Sequence, residues 1–141
     1  MNYLTIQQLG GKSILKREIR NDNELLEAVK AGIPSSVLDY WIKRKKMSKT
    51  LISKLLGITP KTLERSKDKN LSQREGDSFI QLVDLFAFGA VVLGNEDAFL
   101  KWLDMENAAL GLKNPIDLLN TSIGRENVKA VLGRIEFGVY S

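Results

Sequence analysis

From residue 22 onward the chain repeats one arrangement: a side chain able to cap a helix, apolar residues three and four apart, then a glycine. Asp22 or Asn23 can cap a helix carrying Leu25, Leu26 and Val29, with Gly32 at its end, where positive φ is common. Pro34 suits the first turn of the next helix, whose stripe is Val37, Leu38, Trp41 and Ile42 and whose end is the cationic run Lys43-Arg44-Lys45-Lys46. Ser48 caps a helix over 49–56 that Gly57 stops, and Thr59 followed by Pro60 opens a fourth with Leu63 facing inward. Ser72 and Glu75 form a capping box ahead of a long helix carrying Phe79, Val83, Phe86 and Ala90. Gly94 ends it, and Asn95 caps a helix that buries Ala98, Phe99, Trp102 and Leu103. A loop over 106–114 then leads to Pro115 and a short helix over 116–120, and a last helix over 125–137 has Val128, Leu132 and Ile135 on its inner face and Gly138 after it. Alternating strand-like runs are few, so the pattern predicts an all-α protein.

The first twenty residues follow no such rule: Leu4, Ile6 and Leu9 suit a short helix ended by Gly10-Gly11, and residues 12–20 suit a basic arm or a strand. The expected division is therefore an N-terminal arm or short helix over 1–20, a helical region over 21–93 and a smaller helical domain over 94–141.

The sequence has no Cys and no His. That removes His/Cys zinc sites, Ser-His-Asp triads and cysteine nucleophiles together. No acidic pair stands in a context suited to general acid–base work, and no Gly-rich phosphate loop is present, so no enzyme and no cofactor are expected. No apolar run approaches the ~20 residues of a bilayer span, and the first residues lack the basic-then-apolar order of a secretory signal, which predicts a cytoplasmic protein without a membrane partner.

Charge is divided unevenly. Residues 1–70 hold 15 Lys/Arg against 7 Asp/Glu, a net of +8, whereas residues 71–141 hold 6 against 10, a net of −4. A basic half suits phosphate contact and an acidic half is repelled by it, so the halves are expected to have different partners. The basic excess peaks over 43–69, where ten Lys/Arg face only Glu64 and Asp68. Two short helices joined through Gly57-Ile58-Thr59 in that same span predict a helix-turn-helix. Its second helix would enter the major groove by its N-terminal end, with Lys61, Thr62 and Arg65 as base or groove contacts. Ser48, Lys49, Thr59, Lys67 and Lys69 would flank them, mostly on phosphates. The alternative is a helical dimerisation module with a merely solvated charged face.

The C-terminal stretch contains Trp102-Leu103, Asn107, Ala109-Leu110-Gly111, Pro115, Asp117-Leu118-Leu119, Thr121, Gly124, Val128, Leu132 and the closing run from Arg134 to Ser141. It resembles the toxin-binding domain of the Xre/MbcA/ParS-type antitoxins. The stretch Gly32-Ile33-Pro34, then Leu55-Leu56-Gly57-Ile58, Thr62-Leu63, Arg65 and Leu71-Ser72, resembles the Xre-like region of the same family, so the likeness covers about residues 30–141. Three positions depart from that pattern: Glu106 where Pro is usual, Leu112 where a second Gly is usual, and Phe137 where His is usual.

The resemblance implies an Xre-like helix-turn-helix bundle followed by a small helical toxin-binding domain. It implies a bacterial antitoxin whose partners are a RES-domain toxin acting on NAD and operator DNA, working as a homodimer within a larger complex. The outer face of the last helix carries Lys129 and Arg134, with Glu126 and Glu136 nearby, and these can pair with the toxin's surface; with the resemblance, Phe137 and Gly138 are expected to lead Val139, Tyr140 and Ser141 into the toxin's NAD pocket as a plug. On chemistry alone, Tyr140 offers a stacking surface and Ser141 a terminal anion, but three terminal residues without that likeness would read as frayed. The competing expectation is a stand-alone helix-turn-helix regulator with a C-terminal ligand-binding or dimerisation domain.

Overall fold

The computed structural model describes residues 19–138; the arm expected over 1–20 falls almost wholly outside these, and so does the tail Val139-Tyr140-Ser141. Helix is the only regular secondary structure of the described residues, with seven α-helices: α1 (Asp22–Ala31), α2 (Ser35–Lys45), α3 (Lys49–Leu56), α4 (Pro60–Arg65), α5 (Gln73–Leu93), α6 (Glu96–Leu103) and α7 (Ser122–Glu136). Two 3-10 turns, Ala108–Leu110 and Pro115–Leu118, lie between α6 and α7. No strand occurs among the described residues, only the isolated bridges Pro34 to Asn70 and Asn107 to Lys113. The chain divides into two compact units between Val83 and Asp84, a point inside α5 rather than at the Gly94 turn.

Within the first unit, Val37, Leu38, Trp41, Ile52, Leu55 and Phe79 are buried, with Phe79 meeting Trp41 edge-on at 5.7 Å between ring centres. Two backbone bonds fasten its middle: Leu71 N donates to the Ile33 carbonyl at 2.7 Å, and Ser35 N donates to the Lys69 carbonyl at 2.9 Å. Gly32 makes this crossing possible. Its φ is 101°, and a Cβ there would stand 2.8 Å from the Asn70 Cβ. A side chain would therefore be both strained and blocked.

Within the second unit, Phe86, Phe99, Leu103, Leu119, Val128 and Leu132 are buried. Phe99 meets Phe86 edge-on at 5.2 Å and stacks on Trp102 at 6.2 Å, and it lies so close to Gly89 that any Cβ there would overlap its ring. Gly124, in the first turn of α7, has the Leu118 carbonyl where a Cβ would be. Arg125 beside it is buried, and its Nε donates to the Leu119 carbonyl at 2.8 Å. These two neighbours clamp the 3-10 turn at Pro115–Leu118 onto α7.

Most expected caps are in place. Ser48 accepts from Leu51 N at 3.1 Å, Thr59 from Thr62 N at 3.1 Å and Asn95 from Ala98 N at 2.8 Å. Ser72 and Glu75 exchange both bonds of the capping box, at 3.0 and 3.1 Å. Several details differ, among them Ala98 and Trp102, which are only half-buried, and the short helix expected over 116–120, which is the 3-10 turn at Pro115–Leu118. The cap of α1 is Asn21, which accepts from Glu24 N at 2.9 Å, so that Asp22 enters the first turn, where the positive end of the helix favours an anion. Leu26 is half exposed and Ala28 is buried instead. Helix α7 begins at Ser122, capped by Thr121, because Gly124 is a point of close approach inside the helix and not a stop before it. Its inner face is Val128, Val131 and Leu132, with Ile135 only half-buried.

Helix α5 has the length and composition of a membrane span. Its middle is occupied by protein instead: Phe79, Leu82, Val83, Leu85 and Phe86 are buried on several sides of the helix.

Two substitutions should move stability in opposite directions. Gly124→Ala forces a methyl group against a carbonyl oxygen and should cost about 1–3 kcal/mol in urea denaturation. Leu112, 65% exposed, holds φ at 65°, a left-handed conformation costly for a side chain. Leu112→Gly should raise stability by about 1 kcal/mol, since the strain is relieved with little loss of burial.

Candidate functional site

Helices α3 and α4 pack on each other across a turn in which Gly57 takes φ 73° and Ile58 N returns to the Ser53 carbonyl at 3.0 Å. Leu63 is buried and anchors α4 on this pair. Lys61 and Arg65, four residues apart, are exposed on one side of α4. Thr62 is half-buried, and its hydroxyl lies 3.0 Å from the Thr59 hydroxyl, which also caps the helix. Ser48 is likewise occupied as the cap of α3.

Lys49 Nζ stands 3.5 Å from the Glu64 carboxylate, so the acid on α4 pairs with the first turn of α3. Both groups are well exposed, and such a pair is worth little to stability. Lys67 joins Lys49 and Glu64 around a small cleft of about 50 Å³. The Lys69 side chain is exposed, while its carbonyl takes the Ser35 bond. The eight residues expected at nucleic acid thus fall within one compact unit. A further cation lies just upstream: Arg44 Nη1 donates to the Tyr40 hydroxyl at 2.8 Å, with the guanidinium 5.6 Å from the ring centre. Only the four-residue spacing of Tyr40 and Arg44 hints at that pair in the sequence.

The residues expected at a protein partner are more scattered. Lys129 Nζ lies 3.1 Å from the Asp84 carboxylate. Arg134 is about 140° further round α7 at 3.6 residues per turn. It lines an open cleft of about 450 Å³, together with Lys113, Leu110, Leu118, Asn127 and Ala130. Glu136 ends the helix and is exposed, Phe137 is 78% exposed at the C-cap, and Gly138 takes φ 68°. Val139, Tyr140 and Ser141 lie outside the described residues.

Sequence reasoning missed Lys113 and Arg125. Lys113 reads as one more loop lysine, and Arg125 as one more surface cation on an amphipathic helix. Only the folded position of the 3-10 turns gives either a neighbour. Among the described residues no group of three Asp, Glu, His or Cys is placed to hold a metal ion.

Residues 84–138 match the family described as the antitoxin Xre/MbcA/ParS C-terminal toxin-binding domain. The curated Antitoxin Xre of Yersinia enterocolitica is 25% identical over 120 residues, spanning 83% of this chain and 81% of that protein. Both likenesses are to antitoxins, and the domain match begins at the residue where the second compact unit begins. The likeness over residues 84–138 is therefore to the toxin-binding domain of the Xre/MbcA/ParS antitoxins.

Proposed function

We propose that the chain is the antitoxin of a RES-domain toxin acting on NAD, and that it also represses its own operon as a homodimer in the bacterial cytoplasm. The observation that carries this reading is the coincidence at Asp84: a compact unit starts there, and so does the likeness to a toxin-binding domain. The division of charge supports two partners, because the acidic residues 71–141 are unsuited to DNA and the basic residues 1–70 favour it.

On this reading α3 and α4 act as a helix-turn-helix. Lys61 and Arg65 reach base edges from α4, and Thr62, its hydroxyl shared with Thr59, is held beside them. Ser48, Lys49, Lys67 and Lys69 border the groove on the phosphate side. Toxin contact falls to Lys129, Arg134, Glu136, Phe137 and Gly138 at the last helix. Val139, Tyr140 and Ser141 enter the NAD pocket, where the Tyr140 ring takes the place of a base.

Each half has its own test. In a mobility-shift assay on operator DNA, Arg65→Ala should weaken binding by about 1–3 kcal/mol, whereas Lys69→Ala should weaken all sequences alike and lower the salt slope by about one. Should neither change alter affinity, α4 is not the reading helix. For the toxin half, deleting Val139 to Ser141 should leave the complex intact on a sizing column while NAD consumption by the toxin returns; Tyr140→Ala should give a smaller return. A tail-deleted protein that still silences the toxin would assign inhibition to docking alone.

A further inference from the structure

The unit from Asp84 onward is acidic, with five Lys/Arg against eight Asp/Glu in its sequence, a net of −3. Two of its five cations are engaged within the unit. Arg125 is buried on the Leu119 carbonyl, and Lys129 reaches Asp84. Of the other three, Lys113 and Arg134 line the same open cleft, beside the turn at Ala108–Leu110 and along the outer side of α7. No acidic residue lines this cleft, and no ion pair is formed by Lys113 or Arg134 among the described residues. Leu110, Leu118 and Ala130 add apolar groups to a lining that also holds Asn127. At its edge Leu112 precedes Lys113 and holds a large apolar side chain toward solvent from a left-handed backbone. An acidic surface thus contains one concavity that attracts anions and offers apolar groups.

We propose that this cleft is a docking pocket for the toxin, and that it receives an acidic segment of the toxin: an apolar side chain against Leu110 and Leu118, and a neighbouring Asp or Glu carboxylate between Lys113 and Arg134. The inference rests on the antitoxin reading and adds to it the place and chemistry of docking. Charge complementarity selects the occupant. Two cations with no acid beside them favour a carboxylate. The volume of about 450 Å³ admits a short run of side chains, and the apolar groups give the contact area that a free anion would leave unused. DNA fits poorly, since its phosphates would meet the net negative charge of the surrounding unit. Docking here would leave the end of α7 free to direct the tail, so binding and blocking would be carried by different residues.

The test uses the full chain and a purified RES-domain toxin of the proposed pair, with affinity measured by titration calorimetry at low and moderate salt. Lys113→Glu and Arg134→Glu should each weaken binding by about tenfold or more, and the double variant by more than either. In the double variant the salt dependence should vanish or reverse, because two anions then face the acidic segment. Ala130→Trp should weaken binding by filling the cleft without altering charge. All three positions are exposed, so circular dichroism and thermal midpoints should stay unchanged and separate docking from folding. If the unaltered chain binds and these variants bind equally well, the cleft proposal falls and the antitoxin reading stands. If the unaltered chain does not bind the toxin, both fall. Variants that keep toxin affinity but change the size of the free antitoxin would assign the cleft to a second copy of this chain and overturn the proposal.

Discussion

Two backbone hydrogen bonds, from Leu71 N to the Ile33 carbonyl and from Ser35 N to the Lys69 carbonyl, close the segment carrying α2, α3 and α4 at its neck. Neither bond involves a side chain, yet together they bring the entry to α2 and the approach to α5 side by side. Without them the short helices α3 and α4 would have to hold their crossing on a few apolar contacts, and isolated helices of this length are unstable in water. The neck tolerates nothing at residue 32 but glycine, since Asn70 fills the space and the backbone has turned to positive φ. The basic side chains at Lys61, Arg65 and Lys67 are therefore presented from a loop whose two ends are joined.

The second unit solves a different problem. Its loop between α6 and α7 is long for a helix connection and has only two 3-10 turns of its own. Close approach compensates. Gly124 lets the Leu118 carbonyl reach the axis of α7, and Arg125 bonds the next carbonyl from a buried position. A charged side chain can be buried in this way because its hydrogen-bonding groups are met. Held in that position, the loop forms one wall of the cleft whose other wall is α7.

These two constructions suit the proposed division of labour. The first unit spends its charge on exposed lysines and arginines, with Glu64 offset by Lys49. The second keeps most of its anions outward and gathers Lys113 and Arg134 at one concavity. An antitoxin that must engage both DNA and a protein would benefit from electrostatic surfaces that do not compete, and this chain separates them along its length.

The local grammar of the helices was legible from residues alone. Ser48, Thr59, Ser72 and Asn95 cap the helices they were expected to cap, and Gly57 turns where a turn was expected, because capping depends on neighbours three residues away at most. The family likeness, too, lay in short words of sequence at fixed spacing. What the sequence left open were the contacts between distant residues. Gly124 was only one of the spaced residues of the C-terminal stretch and proved to be a contact, since nothing near it announces the Leu118 carbonyl. Lys129 and Arg134 read as one charged face and were placed apart, one on Asp84 and one at a cleft, because the path of the 108–118 loop and the position of Asp84 decide what each side of α7 meets. Helix identity, caps and net charge were thus determined by the sequence, being set by interactions within a few residues or by simple addition. The buried arginine, the glycine contacts and the cationic cleft were decided only by tertiary structure, because each requires groups far apart in the chain to arrive at the same few ångströms.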